Sequence, residues 1–371
     1  MKAFAQRYRG YLWWLAGLAA FFAAYFSLRN NRAAMNWLCG RVILPFEQAA
    51  GRLCGITSVS AAEVLILSGI YAGILYLAWQ ARCLIAQPRR GQRLCRMGLT
   101  VLCAGLSVYA GFCLLWGVFY GADSFQEKSG LTARGGTAEE LAALTERFAG
   151  EVSALSSQVR RDENGCFAVP RGAIFADAMA AYDGVVEEFD CLHKPNAAPK
   201  AFVSSRGMSY LDFSGFYFPF TGEANLNDES PACYLPANIC HELAHQQGIA
   251  TEQECNFVGI LAAITAESPA YRYSGYLMGY VHLANALYRV APETWQTIRD
   301  SLPDTVRADL RQNNAYWAQF DGLVNTAATT VYDGFLKSNG LSDGVQNYGT
   351  VVDLLLAYFD EKSKPPAKPE V

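Results

Sequence analysis

The sequence predicts three N-terminal transmembrane helices followed by a mainly α, α+β domain with a small sheet. Three observations carry this expectation. Three uncharged apolar runs, Tyr11–Leu28, Val64–Ala81 and Met97–Gly121, fall in the first third of the 371 residues. Charge divides at residue 122: residues 1–122 hold 12 basic and two acidic residues, a net of +10, whereas residues 123–371 hold 18 basic and 32 acidic ones, a net of −14. From residue 137 apolar positions recur mostly at helical spacing, with one β-like stretch near 200–226. One soluble globule does not segregate its charges in this way, and the overall net of −4 sums two environments.

Residues 1–121 form the expected membrane anchor, with helices near 11–28, 64–81 and 97–121. The three runs hold 18, 18 and 25 residues, within the range of roughly 17–25 that crosses a hydrocarbon core. The first run ends in Phe26-Ser27-Leu28-Arg29-Asn30-Asn31-Arg32, which lacks the small-residue cleavage site of a signal peptide. Orientation follows from basic residues in short loops. Lys2, Arg7 and Arg9 precede the first span, and Arg82, Arg89, Arg90, Arg93 and Arg96 lie between the second and third. The opposing segment, 29–63, holds only Arg29, Arg32, Arg41 and Arg52. A multi-pass protein of the cell membrane with residues 122–371 outside the cytoplasm is therefore expected. Residues 33–57 are too interrupted to span and are expected along the membrane surface.

After the third run, residues 122–136 are polar and Gly-rich and read as a linker. Thr137-Ala138-Glu139-Glu140 is a capping box opening a helix that carries Leu141, Leu144, Phe148, Val152 and Leu155. A second helix is expected over Ala173–Phe189. Ala201–Val203, Tyr210-Leu211 and Gly215–Phe218 favour strands. Nearly everything beyond 236 reads helical, so the domain is expected over 137–361, with a disordered tail at 362–371. Of 11 cysteines, five (Cys166, Cys191, Cys233, Cys240 and Cys255) lie beyond the anchor. An odd number precludes complete pairing; one or two disulfides, or buried free thiols, both fit.

Chemistry concentrates in His241-Glu242-Leu243-Ala244-His245. Two histidines four apart share one helix face, about 6 Å apart along the axis. Both can reach one Zn2+, and Glu242 is placed as general base toward a water at the metal. About 0.002 such matches are expected by chance in a chain of this composition, so coincidence is a poor explanation. Gly248 then stops the helix, and the chain must reverse to bring in a third ligand. Only His193 and His282 remain as other histidines, which leaves Glu252 and Glu254 as the third-ligand candidates. Thr251-Glu252-Gln253-Glu254 fits a capping box that would occupy Glu254 with the Thr251 N–H. Glu252 is thus favoured, with Glu254 the alternative. Asn256, four residues past Glu252, is placed to hold the far nitrogen of a liganding histidine.

These segments resemble an uncharacterised bacterial family of membrane-anchored, zincin-like proteins, a domain-of-unknown-function group read as metallopeptidases. The resemblance rests on the anchor and on Tyr217-Phe218-Pro219-Phe220-Thr221-Gly222-Glu223-Ala224-Asn225. It rests also on His241 through Asn256, on Tyr332–Gly340, and on Asn347-Tyr348-Gly349. Cys255 replaces the family's usual alanine. More distantly, Glu252-x-x-x-Asn256 is similar to the Glu-x-x-x-Asp of gluzincin peptidases, whose Glu binds zinc and whose Asp orients the first histidine. The resemblance implies a zincin-like domain whose HExxH helix carries the active site. In such folds an edge strand holds substrate as an added strand; Gly215–Phe220 is the candidate, with Gly222–Asn227 a loop leading to the cleft, and a structural hairpin is the other reading. Tyr271, Tyr273, Tyr276 and His282 are the candidate oxyanion donors.

The expected function is a membrane-anchored zinc hydrolase, most naturally a metallopeptidase. Its expected partners are the lipid bilayer and a peptide or protein substrate, with no nucleic acid. A non-catalytic zinc-stabilised receptor or scaffold, or a zinc hydrolase of non-peptide bonds, is the alternative. An intramembrane protease does not fit, because Asn227, Asp228, Glu229, Ser230 and Glu254 make the motif's surroundings too polar to span.

Overall fold

The computed structural model describes residues 2–86, 88–338 and 349–363. A short helix, α1 (Lys2–Arg7), leads into α2 (Arg9–Leu28). α3 (Arg32–Leu38) continues through a π turn (Cys39–Ile43) into α4 (Leu44–Cys54), followed by α5 (Ala61–Ala86) and α6 (Arg90–Leu115). Among the described residues, α2, α5 and α6 are the helices long and apolar enough to cross a membrane. Their large side chains, Trp13, Trp14, Ile70, Tyr71, Trp79 and Val108 among them, are exposed, as suits lipid rather than a protein core. α5 and α6 outrun the uncharged runs because nothing breaks the helix at Glu63 or at Arg90, Arg93 and Arg96. The third span ends before Gly121: Trp116 leaves helical geometry, and Gly117–Gly121 tighten into a 3-10 turn.

α3 and α4 bury Met35, Cys39, Ile43, Glu47 and Gly51 on one side and expose Trp37, Val42, Phe46 and Leu53 on the other. An apolar outer face on a segment too short to span is the arrangement of a helix lying in the membrane surface.

The second part begins at once. Residues 122–136, expected as a linker, carry α7 (Phe125–Ser129), whose Ser124 and Glu127 close a capping box. Phe125 and Leu131 are buried in the domain core, because these two apolar side chains in an otherwise polar stretch have a core within reach. α8 (Ala138–Ser156) starts at the Thr137–Glu140 capping box and buries Leu141, Leu144, Phe148, Val152 and Leu155. The single helix expected over Ala173–Phe189 is instead α9 (Arg171–Asp177), a 3-10 turn (Ala180–Tyr182) and α10 (Asp183–Glu188). That bend lets Ile174, Tyr182 and Val185 all face inward.

β1 (Lys200–Phe202), α11 (Ser205–Tyr210), β2 (Gly215–Phe218) and β3 (Glu223–Asn227) follow. The sheet order is β1-β3-β2; β1 runs parallel to β3 (Lys200 opposite Asn225), and β2 antiparallel (Gly215 opposite Leu226, Phe218 opposite Glu223). Two expectations are corrected here. Tyr210-Leu211 is a helix end and turn, because both edges of β3 are already taken by β1 and β2. Glu223–Asn227, expected in a loop, is the buried central strand.

α12 (Leu235–Gln246), α13 (Glu252–Thr265), α14 (Pro269–Val290), α15 (Pro292–Ser301), α16 (Asp304–Trp317), α17 (Leu323–Ser338) and α18 (Gly349–Ser363) complete the chain. α8, α12, α13, α14 and α18 enclose a core that includes Phe148, Ile239, Leu243, Phe257, Ile260, Leu277 and Leu354. The domain is thus mostly helical, with the small mixed sheet against α12. Of the expected tail, Lys362 and Ser363 finish α18; 364–371 lie outside the described residues, as do Asn339, Gly340, Asn347 and Tyr348. All eleven cysteines are free among the described residues.

Anchor and domain are joined by buried polar contacts. Glu223 accepts the N–H groups of Ala61 (3.1 Å) and Ala62 (2.8 Å) at the start of α5, and the Lys200 ammonium at 2.7 Å. Lys200 also donates to the carbonyls of Cys54 (2.7 Å) and Val59 (2.8 Å). Glu63 accepts the N–H groups of Val203 and Ser204, and Ser60 bonds Asn225 at 2.6 Å. Residues 29–63 and the domain therefore lie at the same end of the three long helices.

Candidate metal centre

α12 brings His241, Glu242 and His245 to one face. Gly248 takes a left-handed φ of +79, which an L side chain adopts only with strain, and the chain reverses there into α13. The first residue of α13 is Glu252. Its Oε2 lies 3.2 Å from His241 Nε2 and its Oε1 3.7 Å from His245 Nε2. One ligand atom from each of the three residues lies within 4.8 Å of the others.

The opposite ring nitrogens are both engaged. His241 Nδ1 is 2.9 Å from Asn256 Oδ1, and His245 Nδ1 is 2.8 Å from the Ile249 carbonyl. With Nδ1–H donating to an oxygen, each imidazole turns Nε2 toward Glu252. A tetrahedral ion with bonds of about 2.0–2.2 Å separates its ligand atoms by about 3.4 Å. The 3.2 and 3.7 Å separations from Glu252 to the two imidazole nitrogens are of that order, so these three residues could hold a metal ion.

Glu254 is not in this group. Its carboxylate accepts the N–H groups of Phe125 and Gln126, both at 3.1 Å, and the Thr251 hydroxyl at 2.9 Å. It therefore caps α7 from across the fold, instead of the Thr251 N–H that the capping-box spacing suggested.

Glu242 is 4 % exposed, and its Oε2 has no hydrogen-bond partner among the described residues. Burial pushes its carboxyl up to about 7, while the two histidines pull the other way. Burial acts on Glu252 in the same sense, but the close approach of His241 and His245 outweighs it and holds that carboxyl well below the usual range. The two carboxylates are thus set apart: one ionised and held, the other poised near neutrality. Gly215, at the start of β2, makes room for Glu242; a Cβ there would fall 2.6 Å from Glu242 Oε1.

A cavity of about 470 Å3 opens over these groups. It is lined by Ser214 and the β2 residues Gly215–Tyr217, by Asn238 on α12, and by Phe112, Trp116 and Tyr120 from the end of the third span. The Trp116 ring meets the His245 ring edge-on at 5.4 Å. These anchor aromatics were missed from sequence; their signal was the Trp116–Tyr120 cluster at the end of an apolar run, which reads first as an interfacial belt.

The expected oxyanion donors separate. The Tyr271 hydroxyl donates to the Ile174 carbonyl at 2.8 Å, Tyr273 bonds Asp309, and Tyr276 packs against Phe148. These three are core residues. His282 lines a second cavity that shares Asp212, Ser214 and Asn238 with the first. Burial, then the nearby His241, push its imidazole down to about 4, so it is neutral at pH 7. His193 stands apart, its N–H bonded to Gln247.

Neither curated proteins nor solved structures match the chain. A family model described as "Protein of unknown function (DUF3810)" matches residues 42–356, from the turn that leads into α4 to a point within α18. The chain belongs to that family of unknown function.

Proposed function

We propose that the protein is a membrane-anchored, zinc-dependent hydrolase, most naturally a metallopeptidase. The observation that carries this reading is the pairing of a three-residue donor set with a buried, unpartnered carboxylate. A purely structural site has no need of a carboxylate like that of Glu242, whose Oε2 has no hydrogen-bond partner among the described residues. His241, His245 and Glu252 would hold the ion, with Asn256 and the Ile249 carbonyl orienting the rings. Bound zinc supplies a Lewis acid that acidifies water to a pKa of about 7. Glu242 would be placed to accept a proton from a water in the cavity and later deliver it to the leaving group. His282, neutral and beside the cavity, is the candidate donor to the developing oxyanion. The edge of β2 that has no strand partner among the described residues supplies main-chain groups on which a peptide can be held as an added strand, which favours a peptide over other substrates. The arginine distribution supports placement of this domain outside the cytoplasm.

Purified full-length protein should bind one zinc per chain and cleave peptides from a mixed library. Glu242→Gln should keep the metal and lose about 10²–10⁴-fold in rate, the contribution of a positioned acid–base group. Equal cleavage by both proteins would sink the hydrolase reading. Zinc retained with no cleavage by either would favour the scaffold alternative.

A further inference from the structure

The cavity is built partly from the anchor, and this bears on what can reach it. α6 is a membrane span, and its last turn contributes Phe112 to the cavity wall, with Trp116 immediately beyond the helix end. Trp116 touches a ring of the donor set, His245. The site therefore lies against the end of a span, with no intervening stalk.

β2 has a defined direction relative to that boundary. Its first residue, Gly215, lies against the Glu242 carboxylate. The turn at its far end rests on the anchor in two places. A Cβ on Gly111 of α6 would fall 2.8 Å from Phe220, and one on Gly51 of α4 would fall 2.7 Å from the Gly222 carbonyl. Beneath that turn, Phe46 and Leu53 of α4 point apolar surface outward, 50 and 69 % exposed. The edge of β2 that has no strand partner among the described residues thus runs from the Glu242 carboxylate to a turn packed on α4 and α6. Gly215 to Phe218 spans about 10 Å at roughly 3.3 Å per residue.

From this we propose that the substrate is a membrane-tethered polypeptide, cut just outside its own membrane anchor. The inference rests on the hydrolase reading above and names its substrate class. A chain paired along β2 emerges from the bilayer at the Phe218–Phe220 end and reaches Glu242 after about three to six residues, or about 10–20 Å. A tether in the same bilayer also raises the local concentration of that segment, an advantage a free peptide lacks.

The test uses full-length, zinc-loaded protein in phosphatidylcholine vesicles with two reporter pools at equal concentration. One pool carries a random twelve-residue segment directly after a transmembrane helix; the other is the same segment as free peptides. The anchored pool should be cut at least tenfold faster, at sites about three to six residues from its helix. Free peptides cut as fast as anchored ones, or anchored cuts spread evenly along the segment, would overturn this inference while leaving the hydrolase reading intact. No cleavage of either pool overturns both. A second measurement needs no turnover. In Glu242→Gln protein carrying a photoreactive phenylalanine analogue at Leu211, an exposed cavity-lining position, light should cross-link the anchored reporter in preference to the free peptides. Equal capture of both pools overturns the tether.

Discussion

Asn256→Ala removes the acceptor that holds His241 Nδ1 at 2.9 Å and leaves all three proposed ligands in place. A hydrogen bond of this kind contributes about 0.5–1.5 kcal/mol net. The His241 side chain is 13 % exposed, so water replaces the lost acceptor only in part, and the upper end of that range applies. About 1.4 kcal/mol is a factor of ten in affinity, at the lower edge of the 10–100-fold that partners of metal ligands typically contribute. Asn256→Asp supplies a charged acceptor at the same reach, a bond roughly twice as strong. The expected order of zinc affinity is therefore Asp at or above Asn, with Ala about tenfold weaker. Competition against a chromogenic chelator, on full-length protein in detergent, measures it, and a melting curve for each variant checks the fold. If Asn256→Ala binds zinc like the wild type while His241→Ala loses it, ring orientation by Asn256 is refuted.

Three further predictions probe other parts of the fold. Gly215→Ala places a methyl group 2.6 Å from Glu242 Oε1; overpacking of this kind costs about 1–3 kcal/mol. Displacing the carboxylate should lower kcat up to about 100-fold at unchanged zinc content, and an unaltered kcat would contradict the close approach. Glu223→Ala leaves the Lys200 ammonium, 6 % exposed, with carbonyl partners only. Breaking a buried pair costs about 3–5 kcal/mol, readable as a lower Tm in detergent, whereas a loss under about 1 kcal/mol, the scale of a surface pair, would exclude it as a principal tie between anchor and domain. Glu47, fully buried under the β2 turn, is pushed by burial from 4.5 up to about 9, against the opposing hydrogen bond from Tyr217. A carboxyl raised in the folded state supports the fold below its unfolded pKa and loses that contribution as pH climbs from about 4.5 through about 9. Glu47→Gln, which cannot ionise, should gain Tm relative to wild type progressively across that window; parallel pH dependences would count against a buried neutral acid.

Local chemistry accounts for what was legible in the sequence. Membrane runs announce themselves because a bilayer demands about 20 uninterrupted apolar residues, and the split from +10 to −14 marks where that demand ends. Histidines four apart share a helix face whatever surrounds them. The Thr137 capping box likewise formed as its spacing required. Glu252 and Asn256 were within reach of sequence because one reversal at Gly248 separates them from the histidines. The tertiary structure decided what depends on distant elements. Glu254 caps α7 because Phe125, more than a hundred residues earlier, folds back beside it. Tyr210-Leu211 has strand-forming residues but no open edge of β3 to pair with, and the Gly222–Asn227 segment is central because Glu223, Asn225 and Asn227 find buried partners. Above all, the chain order says nothing of how near the site lies to the apolar N-terminal helices. Trp116 reaches His245 only because the anchor and the domain pack on one another, and packing between segments far apart in sequence has no local signature.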